Sequence, residues 1–507
     1  MKRLLVFLFG CLFISGNLQA EIKLPRLFAD HMVIQQGATV PVWGWADNGE
    51  KVNVTFRGRT QKTLAQDGRW MVQFGKTSAG GPFDLVVSGK NTITLKDVMV
   101  GEVWICSGQS NMEWPMSQSF EAEAALSAAK YPNLRLLKVE KMKANEPISD
   151  IQGSWKECAP ESVKDFSAVA YYFGRDLHKS LQVPVGLIQT AWGGSPAEVW
   201  MSKDVLEGNP GYRREIMETY PAAYQRYSEG VAKWEKESLQ LKQEGKEQKA
   251  RRPAVPWKPT ELYNGMIAPL IPYAIKGAIW YQGESNAGRA YQYRTLFADM
   301  IRNWRRDWRQ GDFPFLAVQL APYDKVKKRP LGEITAAPGE SDWAELREAQ
   351  GLAAKTLAKV GVAVITDVGE KDDIHPRKKE PVGGRLALAA RRIAYGQKIV
   401  FSGPSLKAVQ FKAGKAFLSF DYIGKGLEAR GGKPTGFAIA GADKKFFWAE
   451  AEIQGSQVIV SSPQVSVPVA VRYGWADYPV VNLWNKDGLP ASPFRTDDFP
   501  MVTAPKP

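Results

Sequence analysis

Residues 101–116, GEVWICSGQSNMEWPM, constrain this chain more than any other stretch. Val103, Trp104, Ile105 and Cys106 form an unbroken apolar run, the pattern of a parallel strand covered on both faces. The run stops abruptly at Ser107-Gly108-Gln109-Ser110-Asn111. Small and polar residues at the C-terminal end of such a strand stand where an open α/β sheet presents its crevice. Ser110 there offers a hydroxyl and a backbone N–H to one place. An isolated turn of this kind also has an ordinary explanation, because Gly, Ser and Asn favour turns for local reasons. The rest of the chain decides between the two.

A serine is a poor nucleophile until a base takes its proton, and that base is usually a histidine. The chain has three histidines. His31 lies in a β-rich N-terminal stretch, and His178 lies on an amphipathic helical pattern, DLHKSL. His375 follows a second apolar run, GVAVITD, within DVGEKDDIHP, so it stands at another strand end with carboxylates close before it. A carboxylate in that place can hold the imidazole tautomer and stabilise the imidazolium. Two further strand ends carry polar or glycine-rich loops. TAWGGSPAE follows VPVGLIQ at 190–198, and QGESN follows the apolar Ala278 and Ile279 at 282–286.

In order, GQSNMEW, GGSPAEVW, WYQGESN and DIHP resemble the four blocks of the SGNH/GDSL hydrolase superfamily, and within it the sialate O-acetylesterase family. FPFLAVQLAPY and WAELREAQ resemble that family too. The resemblance implies a flavodoxin-like α/β/α sandwich with a parallel sheet, and ester hydrolysis with Ser110 as nucleophile and His375 as base. An oxyanion would be held by the Ser110 N–H, a glycine N–H from Gly193-Gly194 and a side-chain amide. The superfamily's third block carries Asn within GxND. Here the matching region points to Gln282, with Asn286 as the alternative. The DxxH spacing selects Asp372 to orient His375, whereas the subfamily's shorter spacing selects Asp373. Gln109, Asn111, Trp114 and Glu284 are expected on the substrate side, Glu284 holding its loop by hydrogen bonds. Arg289, Arg347 and Arg377 are candidates to meet a sugar carboxylate.

Around these blocks the chain divides by pattern. Residues 1–20 read as a cleavable secretory signal: Lys2 and Arg3, an apolar run too short to span a membrane, then Leu18-Gln19-Ala20. The mature protein is expected to be secreted or periplasmic, with no later membrane span. Residues 21–96 alternate as short strands between turns, a small sandwich. Residues 97–399 alternate strands with helices, the catalytic α/β/α domain, with a charged insertion near 225–258 that reads as a solvated face. Residues 400–507 return to β patterning.

The formal net charge of +14 raises nucleic acid as a partner. The basic residues are scattered, and no nucleic-acid-binding motif is present, so an O-acetylated sugar or glycan is the expected partner. There is no HExxH or CxxC pair and no phosphate loop, so neither a metal nor a cofactor is expected. Cys106 and Cys158 either pair or stay as separate buried thiols. Acetylated xylan or another plant glycan is the alternative substrate, and a non-catalytic glycan-binding protein the alternative class. Sequence alone leaves oligomeric state open.

Overall fold

The computed structural model describes residues 21–505; residues 1–20, where a secretory signal is expected, lie outside the described residues. The central sheet contains β1 (Thr92–Gly108), β2 (Tyr131–Lys138), β3 (Trp155–Cys158), β4 (Val185–Ala191), β5 (Gly277–Tyr281), β6 (Phe315–Val318) and β7 (Val360–Ala363). Their spatial order is β7-β6-β5-β1-β4-β2-β3. Every neighbouring pair is parallel except β2 with the edge strand β3. Four helices cover the sheet: α1 (Ala168–Leu181), α2 (Ala290–Trp308), α3 (Asp342–Thr356) and α4 (Glu380–Ile393). This is the α/β/α sandwich that the alternating pattern predicts.

Strand alternation divides the core into two layers. Trp104 and Cys106 pack with Val169, Phe173, Val382 and Leu386 of α1 and α4. Val103 and Ile105 turn to the other face, with Phe297, Met300, Trp304 and Leu346 of α2 and α3. In α2 the buried positions Tyr293, Leu296, Phe297, Met300, Ile301, Trp304 and Trp308 recur at helical spacing. Each such fully buried side chain contributes about 1.5–3 kcal/mol relative to exposure.

Register brings the loops together. Gly108 is the partner of Ala191 on β4 and of Tyr281 on β5. The three strands therefore end level, and the loops beginning at Gln109, Trp192 and Gln282 leave the sheet side by side. Gly108 has φ +138°, and a Cβ there would lie 2.1 Å from the Tyr281 carbonyl oxygen. Only glycine fits both conditions.

β1 is 17 residues long and serves two sheets. Its first half pairs with Gly80–Ser88 and with Val33–Gln35 of the N-terminal segment, and its second half is the centre of the parallel sheet. Residues 96 and 97 thus lie within one strand. A second sheet, Val40–Trp45 with Arg69–Phe74, belongs to the same core as Val52, Val54 and Phe56. Gln35 locks the junction, its Nε2 donating to Glu102 and its Oε1 accepting from the Val103 N–H.

The C-terminal segment forms antiparallel sheets. Arg347, fully buried on α3, ties them to the α/β core. Its guanidinium donates to the carbonyls of Leu320 and Ala321 on one side and of Ala476 and Asp477 on the other. The helix Tyr220–Gln243 of the charged insertion buries no residue. Cys106 and Cys158 are separate buried thiols, and burial pushes the Cys158 thiol up to about 12. Replacing Gly108 with Ala is expected to cost on the order of 3 kcal/mol, seen as a clear drop in the thermal unfolding midpoint.

Candidate active site

Ser110 opens a single helical turn, Ser110–Glu113, directly after β1. The N–H groups at the start of a turn have no preceding carbonyl to bond, so the Ser110 N–H stands at the mouth of the crevice. His375 comes from the loop between β7 and α4, and its Nε2 lies 2.8 Å from Ser110 Oγ. The other two histidines are committed elsewhere. His31 Nδ1 meets Asp97 at 2.6 Å, and His178 Nδ1 bonds the Val183 carbonyl at 2.7 Å. His31, Asp97 and Glu157 cluster tightly enough to suggest a cation site, but the Arg135 guanidinium already occupies that space.

The two candidate aspartates part company. Asp373 Oδ1 accepts the His375 backbone N–H at 2.9 Å and lies 3.7 Å from His375 Nδ1. Asp372 turns the other way, because Lys371 and Asp372 form the tight turn closed by the Glu370–Asp373 bridge. Its carboxylate accepts from Lys371 Nζ and the Lys328 N–H, both at 2.7 Å. Those bonds hold its pKa below the usual carboxylate range. Of the two aspartates left open by the spacing, Asp372 braces the loop from outside, and Asp373 lies beside the ring.

The amides expected at an oxyanion are also differently engaged. Gln282 is fully buried; its Nε2 donates to Asn286 Oδ1 at 2.6 Å, and its Oε1 accepts from Tyr293 OH at 2.9 Å. Asn286 Oδ1 also accepts the Ala197 N–H, while its Nδ2 donates to Glu198 at 3.0 Å. Both side chains are struts that fasten one loop to the next. Gly193 does sit against Ser110: a Cβ on it would meet Ser110 Cβ at 3.3 Å. Its N–H donates to Glu113 Oε2 at 2.7 Å, and Glu113 Oε1 is paired with Lys141 at 2.5 Å. Gly194 adopts φ +75° to complete the turn, and its carbonyl accepts from Ser285 Oγ.

The residues expected on the substrate side mostly build the frame. Gln109 Oε1 accepts the N–H groups of Gly283 and Ser285 at 3.3 Å each. Asn111 Nδ2 donates to Glu284 Oε1 at 2.7 Å and to the Ile374 carbonyl at 3.0 Å. Trp114 stacks on His375, with ring centroids 5.2 Å apart and planes 20° from parallel. Through that bond from Asn111, Glu284 joins its loop to the turn that bears Ser110. Of the arginines, Arg289 pairs with Glu198, Arg347 is sealed in the interdomain contact, and Arg377 is exposed near Gln118.

Sequence reasoning missed Glu113 and Lys379. Glu113 is legible in retrospect, since three residues along a helical turn bring a side chain back to the face of Ser110. Lys379 is 1% exposed, and its Nζ donates to Asn111 Oδ1 at 2.5 Å. A lysine before a helix gives no sign of burial.

Residues 100–242 and 251–390 match the family described as carbohydrate esterase, sialic acid-specific acetylesterase. The sialate O-acetylesterase of Rattus norvegicus is 30% identical over 89% of this chain and 89% of its own. That of Homo sapiens is 30% identical over 91% of this chain and 90% of its own. The chain belongs to this carbohydrate esterase family. A solved carbohydrate acetylesterase from Xanthomonas citri superposes with a TM-score of 0.80 at 40% identity, covering 94% of this chain and 100% of that one. Both blocks that meet at Ser110 and His375 fall inside the matched family region. Among the described residues no helix is long and apolar enough to cross a membrane.

Burial, aided by the nearby Lys379 ammonium, lowers the His375 pKa from its ordinary value. A base works only when neutral, and a lowered pKa keeps it neutral to lower pH. The acid limb of kcat/KM is therefore expected below pH 6.5, His's ordinary value. A pH–rate profile with an aryl acetate checks this, and a limb above that value would contradict it.

Proposed function

We propose that this carbohydrate esterase family member removes O-acetyl groups from sugars through a serine acyl-enzyme. The contact that carries this reading is Ser110 Oγ to His375 Nε2 at 2.8 Å, at the level ends of three parallel strands. With the proton on His375 Nδ1, Nε2 accepts the Ser110 hydroxyl as Oγ attacks the acetyl carbonyl. The imidazolium then formed presents Nδ1–H to Asp373, and its Nε2 proton leaves with the sugar oxygen. Water, activated by the same nitrogen, cleaves the acetyl-serine.

The developing oxyanion takes the N–H groups of Ser110 and Gly193, displacing Glu113 from the second. Removing one such oxyanion donor typically costs about two to three orders of magnitude in rate. Gln282 and Asn286 act through the loop they stiffen.

An O-acetyl group on sialic acid is the first substrate reading, supported by relatives of that name aligned over about nine-tenths of the chain. An acetylated neutral glycan such as xylan is the second, consistent with the higher identity to a bacterial protein described only as a carbohydrate acetylesterase. The charged, apolar and small-residue order of residues 1–20 supports export.

Acetate release from 9-O-acetyl sialic acid and from acetylated xylan, measured side by side, tests the reading. Ser110→Ala is expected to abolish release, by about three orders of magnitude or more. Release from xylan alone would keep the mechanism and assign the neutral glycan. No release from either, with an aryl acetate also untouched, would contradict the esterase reading and favour glycan binding. Asp373→Asn is expected to lower kcat about tenfold or more, whereas Asp372→Asn should leave it within about twofold. The reverse order would return the orienting role to Asp372.

A further inference from the structure

Directly behind Ser110 and His375 lies a buried ionic network that the ester chemistry does not itself require. Asn111 is its centre and is fully buried. Its Oδ1 accepts from Lys379 Nζ at 2.5 Å, and its Nδ2 donates to Glu284 Oε1 and to the Ile374 carbonyl. One amide thus joins the turn bearing Ser110, the QGESN loop, the residue before His375 and the start of α4. The second Glu284 oxygen, Oε2, is enclosed and meets no side-chain donor among the described residues. Lys379 Nζ also lies 5.6 Å from the centroid of the Trp114 ring, the same ring that stacks on His375.

Burying an ammonium and a carboxylate is unfavourable, and apolar side chains of similar volume commonly do as well or better for stability. Packing therefore gives no reason for a lysine here. Its position beside the base gives one. We propose that Lys379 is a positioning residue for His375: its buried ammonium, anchored on Asn111, holds the histidine loop onto Ser110 and opposes protonation of the imidazole, while Glu284 limits that opposition. This deepens the reading of His375 as the base and rests on it.

The charges around His375 are few. Asp373 faces Nδ1 and favours the protonated ring. Lys379 opposes it, and Glu284 and Glu370 act on Lys379. Lys371 is spent on Asp372 and the Arg329 carbonyl, and Arg377 on the Gln118 carbonyl. Burial brings Lys379 down to about 7 and raises Glu284. Below neutrality, where His375 titrates, Lys379 therefore carries its charge.

With three histidines in the chain, ring carbon–proton NMR resolves each titration, and His375→Gln identifies the relevant one. Lys379→Met is expected to raise the His375 midpoint by about half a unit to one unit. Glu284→Gln, which keeps the acceptor for Asn111 but removes the charge, is expected to lower it. The acid limb of kcat/KM for an aryl acetate should move with the same signs. In Lys379→Met kcat should fall about tenfold while KM stays within about twofold. A midpoint that stays put, or moves the other way, in either folded variant overturns the proposal, because a merely structural lysine would lower activity without moving the titration. The midpoint is read without turnover, so an inactive wild type would count against the esterase reading and leave this test intact.

Discussion

The structure depends on three parallel strands ending at the same level. β1, β4 and β5 stop at Gly108, Ala191 and Tyr281, which are register partners. Strand register is fixed by which residues must be buried, and a slip of one residue would turn every side chain to the wrong face. On β1, Trp104 and Cys106 fill one layer and Val103 and Ile105 the other, so a slip would drive the Trp104 indole into the layer shaped for its smaller neighbours. The level ends follow, and with them the neighbouring loops. The bare Cα of Gly108 then lets the backbone of β5 close against β1, and the chain turns at once into Ser110. The catalytic geometry is thus inherited from core packing.

Such a junction leaves many backbone and side-chain polar groups buried together, and buried polar groups demand partners. The amides near Ser110 answer that demand. Gln350 Nε2 donates to the Gln282 carbonyl at 3.0 Å, Gln282 bonds Asn286 and Tyr293, and Gln109 receives two N–H groups from the QGESN loop. This lattice fastens the loops of the crevice floor to one another. At the rim, the half-buried Glu113 accepts from the Gly193 N–H and pairs with the exposed Lys141.

The fold was legible in the sequence because apolar runs alternating with helical patterns mark a covered parallel sheet. The Ser110 and His375 pair was legible through the resemblance of four ordered blocks to one esterase family, since His375 lies twelve residues beyond its strand, which ends at Ala363. The polar details were less legible. Gln282 and Asn286 carry the amide chemistry an oxyanion wants, yet the same amides serve a buried loop equally well, and only their partners distinguish the two. Asp372 and Asp373 differ by one residue, and the turn into His375 decides which reaches the ring. Lys379 was invisible because its burial comes from α4, Trp114 and Asn111, which are brought together from three distant parts of the chain. The expected sandwich at 21–96 shares a strand with the α/β core because the sheet continues through β1 where patterning alone shows a change of class.

The central claim is that His375 activates Ser110, and the most direct test is covalent. A fluorophosphonate reacts with a serine whose proton is taken by a neighbouring base, and peptide mass spectrometry locates the adduct. The account predicts one adduct, on Ser110, formed rapidly in the wild-type chain and lost in His375→Ala. Labelling at another serine, or labelling of Ser110 that persists unchanged in His375→Ala, would contradict it.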